Sequence, residues 1–254
     1  MLRSFHKTIV KTIVLAAPAV LFPSPAIAQS PRQANPERPT FATHAYAVVP
    51  GYVELEQGLA ARGVGSLREE TSWDVNLKLG VSRHVQAALF GPLYTRGAGG
   101  GGVGDLGLAL KLRTDVSSRA ALAIVSSVTA PTGSATRDLG AGRALGALVG
   151  VVSADAPGGL HFDVNAGPQA IGAGAPQWFL SLSGAKGLGS AGITLEVFQF
   201  SAGGAGQRLA GLLGAVTVRL AEWVVADAGG VARTASGTPD QLFVGITTNL
   251  GRAF

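Results

Sequence analysis

Cysteine is absent from all 254 residues, only 14% of positions are charged and 6% are aromatic. The missing thiols exclude a disulfide framework and any thiolate-bound metal. His44, His84 and His161 lie too far apart in sequence to form a metal motif, so neither metal nor cofactor is expected. No G-x-S-x-G precedes a helical pattern and no GK[ST] follows the glycine runs, which leaves no catalytic residues to nominate and points away from an enzyme. No basic patch interleaved with aromatics is present, so nucleic acid is excluded as a partner. Beyond residue 28 no apolar run reaches 18 residues. A chain with this composition that resides in a membrane must cross it as a closed barrel, because lipid leaves no water to satisfy open backbone groups.

What is abundant is glycine, 37 residues, about twice the usual share of roughly 7%. Interior glycine costs a helix about 1 kcal/mol relative to alanine, so the composition argues against helical architecture. The N-terminus carries Arg3, Lys7 and Lys11, an apolar run from Thr12 to Phe22, and Ala26-Ile27-Ala28 before Gln29. That order is a cleavable export signal over 1–28. It removes three bases and no acid, and leaves a nearly neutral chain. Residues 29–40, QSPRQANPERPT, read as a mobile N-terminal arm.

From residue 41 the pattern has period two. Leu106, Leu108, Leu110 and Leu112 alternate with Gly107, Ala109, Lys111 and Arg113; Trp73, Val75, Leu77, Leu79 and Val81 alternate with Asp74, Asn76, Lys78 and Gly80. Such alternation is a strand with one apolar face. Twelve strands are predicted, at 51–62, 69–81, 84–93, 103–114, 119–130, 142–154, 159–168, 177–187, 190–200, 207–219, 222–233 and 240–254. Short connections follow every second strand, and longer, glycine-rich ones follow the others. That parity marks an outer-membrane barrel, with turns on the periplasmic side and loops outside. The fold class is therefore all-β: a transmembrane, antiparallel, up-and-down β-barrel of about twelve strands over 41–254. Phe254 ends the last strand in phase with its apolar face.

The run GGGGVGD (99–105) leads into a strand, so it reads as an outer loop and not as a phosphate cradle. The succession VPGYVELEQGL (49–59), GVGDLGLALKLRT (102–114) and SVTAPTG (127–133) resembles the outer-membrane transporter family related to the MetA-pathway phenol-degradation proteins. The resemblance implies a barrel in the outer membrane of a Gram-negative-type envelope and passage of small, often aromatic, compounds. The terminal aromatic implies recognition by the barrel-assembly machinery, with outer-membrane lipid around the wall.

Charges on the face opposite the leucines are expected to line the lumen: Glu54, Glu56, Asp74, Lys78, Asp105, Lys111, Arg113, Asp163 and Glu196. Lys111 and Arg113, two apart on one face, are the expected constriction, and small inward residues are expected to keep the bore from filling. The leading function is a channel or diffusion facilitator for small solutes, aromatic or hydrophobic ones among them. A structural or adhesive barrel with a plugged lumen is the alternative. A barrel lipid hydrolase using His161 on the lipid-facing side stands third.

Overall fold

The computed structural model describes residues 30–63, 70–235 and 240–254; the segment 1–28 read as an export signal, Gln29 and residue 69 of the second predicted strand lie outside them. Twelve long strands form one sheet: β1 (Tyr52–Arg62), β2 (Glu70–Ser82), β3 (Val85–Gly97), β5 (Leu106–Ser117), β6 (Ala120–Ala130), β7 (Leu145–Ala156), β8 (Leu160–Gln169), β9 (Gln177–Leu188), β10 (Ala191–Phe200), β11 (Leu209–Ala221), β12 (Val224–Arg233) and β13 (Gln241–Arg252). The short β4 (Gly100–Gly102) pairs with the end of β3, so part of the expected glycine loop is a hairpin. Each long strand pairs antiparallel with its neighbours in sequence, β3 pairing β5, and β13 pairs back onto β1 from Tyr52↔Arg252 to Arg62↔Gln241. The sheet therefore closes on itself, and every long strand has two hydrogen-bonded neighbours. Strands of 10–13 residues match the length that crosses a hydrocarbon layer when tilted, about 9–11 residues.

The alternation places one face outward and the other inward. Leu108, Leu195 and Leu242 point out and are 61%, 68% and 59% exposed, which suits lipid contact and nothing else for so many large apolar side chains. Trp73, Tyr94 and Trp178 ring the loop end of this outer face; Phe162, Trp223 and Phe254 ring the turn end. Two aromatic belts thus form from a small aromatic inventory, because most of the ring-bearing outward residues sit near strand ends.

The interior holds a segment of the chain itself. Residues 30–50 fold back from the turn end into the barrel. Ala34 donates its N–H to the Glu222 carbonyl in the β11–β12 turn, and Gly51 donates to Gly80 near the turn end of β2. Between these anchors the segment forms a loop inside the turn-side half. The segment read as a mobile arm is held by wall side chains, and it extends ten residues past Thr40. Inward glycines receive it. A Cβ on Gly58 or Gly245 would lie 2.6 or 2.4 Å from the Arg38 guanidinium, and one on Gly80 would lie 2.3 Å from the Val48 carbonyl oxygen. These glycines are the slot for the arm, not clearance for a pore.

Valine at Gly58 or Gly245 pushes Arg38 out of that slot. Each variant is expected to lose about 1–3 kcal/mol, the usual cost of overpacking, and to show faster chymotryptic cleavage after Phe41 and Tyr46 than the parent in detergent.

Candidate functional site: the barrel interior

The strands set the inward side chains by parity alone, since alternate residues face opposite sides of a sheet. Glu54 and Glu56 on β1 face Lys78 on β2, because the register pairs Glu54 with Lys78 and Glu56 with Asn76. Lys78 Nζ lies 2.5 Å from Glu54 and 2.7 Å from Glu56, and all three are essentially inaccessible to water. One ammonium thus serves two carboxylates. The second negative charge is met by the arm: Asn35 N–H donates to Glu54 at 2.7 Å and Glu37 N–H donates to Glu56.

The same logic repeats around the wall. Arg38 forms an ion pair with Asp227 of β12 at 3.0 Å, with its guanidinium 5.9 Å from the centre of the Phe243 ring. Glu196 of β10 accepts from the N–H groups of Phe41 and Ala42 at 2.8 and 2.7 Å. Asn165 accepts from Thr43, Ser153 from Ala45, and Gln86 from Val48. Lys111 Nζ is spent on the arm: it meets the Glu37 carboxylate at 2.6 Å, the Thr43 hydroxyl, and the carbonyls of His44 and Tyr46. Buried charge away from water costs several kcal/mol unless paired and hydrogen-bonded, and the arm supplies the pairing.

Of the nine charges expected to line the lumen, Glu54, Glu56, Lys78, Lys111, Asp163 and Glu196 point inward and are buried, all but Asp163 against the arm or one another. Asp163 accepts from Ser153 Oγ at 2.5 Å and lies 3.0 Å from His161 Nε2. The other three are only partly buried. Asp74 is near the loop end beside Ser72 and Arg62. Asp105 precedes β5 and clamps the outer 131–144 connection by accepting from the Gly133 and Ala141 N–H groups, since a carboxylate at a loop end finds free backbone donors before it finds a lumen. Arg113 pairs with Asp115 toward the turn end and sits 5.4 Å over the Tyr46 ring. Lys111 and Arg113 therefore form no joint constriction. His161 faces inward, bridging Asp155 at 2.8 Å and Asp163, so the lipid-facing Ser–His arrangement does not exist among the described residues.

Much of the wall is covered at this level. Glu54, Lys78, Ser153, Asn165, Thr247 and Asn249 belong to five strands spread around the ring, and none is more than 1% exposed. A water-sized sphere does not reach them. At the top of the arm, toward the loop end, Phe41 packs against Phe198 in a tilted pair with ring centres 4.3 Å apart, and Phe200 stacks on Phe179 at 4.7 Å. Phe41 itself is 43% exposed, so it forms the top of the arm.

Two arm side chains titrate away from their usual range. Burial works against ionisation of Glu37, but the adjacent Lys111 and Lys78 ammonium groups outweigh it and hold the carboxyl well below ordinary values. Burial, with Lys111 beside it, pushes the His44 imidazole down to about 4.

Sequence reasoning missed Glu37, Arg38, Phe41, His44 and Tyr46 as interior residues, together with Asp227. A signal exists for Asp227: it is the single charge before Arg233 in the otherwise apolar and small VVADAGGVAR, and it falls on the inward parity. The only base on that strand, Arg233, is six residues away at the loop end, so an inward carboxylate at 227 calls for a partner from elsewhere.

With the closed ring, the outward apolar belt and the polar interior in place, the class is that of outer-membrane barrels. Among solved structures, the COG4313 outer membrane channel from Pseudomonas putida F1 superposes with a TM-score of 0.60 over 84% of this chain and 100% of that one, at 14% identity. The NanC porin gives 0.55 over 78% and 100%, at 8% identity. The KdgM porin in complex with disordered oligogalacturonate gives 0.54 over 78% and 98%, at 6% identity. No family model and no curated protein sequence matches. At these identities the likeness establishes the fold.

Lys78→Met leaves two carboxylates buried without their cation and is expected to destabilise the refolded barrel by about 3–5 kcal/mol, read as a lower urea midpoint in detergent. Acid is expected to loosen the arm. His44 and Glu37 both bind protons less readily in the seated arm than when released, so their contribution is complete above pH 6.5 and fades as pH falls through the His44 value of about 4. The melting midpoint should drop from pH 7 to pH 4, and His44→Phe should flatten that slope.

Proposed function

We propose that this chain is an outer-membrane channel or diffusion facilitator for small solutes, exported by the signal at 1–28 and inserted from a last strand ending at Phe254 through the barrel-assembly machinery. The observation that carries the reading is a closed ring of twelve long strands, apolar outside and charged within, whose fold is shared with the COG4313 channel and the KdgM and NanC porins. A wall with nothing to pass has no need of so many inward charges, each of which costs desolvation. The apolar cup of Phe41, Phe179, Phe198 and Phe200 supports a small aromatic or hydrophobic body as the solute. Passage then requires the arm to move aside, because side chains at the level of Lys78 are sealed from water.

The second reading, a structural barrel with a plugged lumen, is favoured by that same seal. Unitary conductance in planar bilayers separates the two. Chain 29–254 is expected to give brief, small openings, and Gly58→Val with Gly245→Val, which crowds Arg38, is expected to give longer ones. A folded double variant that displaces the arm and still conducts nothing would establish the plugged barrel instead.

A further inference from the structure

The arm shows what the wall beneath it recognises. Among the described residues, the buried charged side chains of the strands are Glu54, Glu56, Asp163, Glu196 and Asp227 against Lys78 and Lys111. Carboxylates are in excess, and the arm meets most of them with donors. Backbone N–H groups of Asn35, Glu37, Phe41 and Ala42 fall on Glu54, Glu56 and Glu196, and the Arg38 guanidinium falls on Asp227. In the reverse direction, Lys78 and Lys111 reach the arm, chiefly through carbonyls and the Glu37 carboxylate. Lys78 stays committed to Glu54 and Glu56 with the arm removed, since both belong to the wall. Lys111 is therefore the one buried wall cation that an absent arm would leave without an acid, against Glu196 and Asp227, which would lose their donors together.

From this complementarity we propose that the surface under the arm selects cations, and that the solutes passing it carry an ammonium or guanidinium group on a small, preferably aromatic, body. The inference rests on the channel reading above and deepens it. Arg38 is the internal template: its guanidinium sits between Gly58 and Gly245, pairs with Asp227 and lies near the Phe243 ring. A solute cation replacing it regains the ion pair and the ring contact. An organic anion meets Glu196, Glu56 and Asp227 at close range in a low-dielectric wall and is rejected. The wall rings Phe179, Phe198 and Phe200 above receive the apolar part, and the carboxylates below receive the charge.

The test uses refolded chain 29–254 and two probes that share a ring and differ in sign, phenethylammonium and phenylacetate. In bilayers under a salt gradient, the reversal potential should show K⁺ favoured severalfold over Cl⁻. Phenethylammonium should permeate better than phenylacetate, Glu196→Gln should weaken the preference, and Glu196→Lys should invert it. Anion preference, or a preference unmoved by both substitutions, overturns the proposal while leaving a channel in place. A barrel that conducts neither probe defeats the channel reading instead. Deuterium uptake by residues 35–48 then decides the wall chemistry on its own: phenethylammonium should speed exchange of those N–H groups, and phenylacetate at equal ionic strength should not. Equal effects from both ions would overturn the proposal.

Discussion

The constraint on which everything else depends is that a backbone surrounded by hydrocarbon must find all its hydrogen-bond partners within the protein. The sheet meets it by closing, and closure rests on the β1–β13 register. Once the ring is closed, parity does the remaining sorting. One set of side chains must be apolar and the other is free to be polar, because it faces only what the protein puts inside. The interior chemistry is therefore a matter between the wall and the arm, with lipid excluded from it.

The arm and the wall solve each other's electrostatic problem. Five buried carboxylates facing two buried lysines would be unstable around an empty, low-dielectric space. An extended peptide is a suitable counterpart, since its N–H groups recur at short intervals and its turns follow the ring. Prolines at 31, 36 and 39 keep the segment out of helix and out of the sheet ladder, which leaves its N–H groups free for side-chain acceptors. Wall glycines at 58, 80 and 245 let it approach. Sequence, local conformation and packing agree here, and the agreement gives the interior a single arrangement.

The barrel was legible because its evidence is local. Leu106 to Leu112 alternate without exception, and the parity of short and long connections needs no knowledge of pairing. The inward direction of Glu54, Lys78 and Glu196 followed from the same alternation. The arm was not legible, since a polar, proline-bearing leader looks the same whether it trails in water or lies inside a pore. Its side-chain partners on the wall are 19 to 216 residues away in sequence, and no periodicity reports a contact at that distance. Asp105 sits in the outer connection for a related reason: parity gives the face of a residue and says nothing of its height along the barrel.

The junction at Gly51 ties these parts together. Ala253 N–H donates to the Gly51 carbonyl, so the residue that ends the arm also touches the chain's far end at the seam. In order of synthesis the arm precedes every strand, yet its anchoring side chains are scattered over β1, β2, β3, β5, β7, β8, β10 and β12. The β1–β2 site can form with the first hairpin, but the full set is not assembled until the circle is nearly complete. The earliest segment to emerge is thus the last able to settle, and its arrival inside marks a finished barrel from one that is still open at the edge.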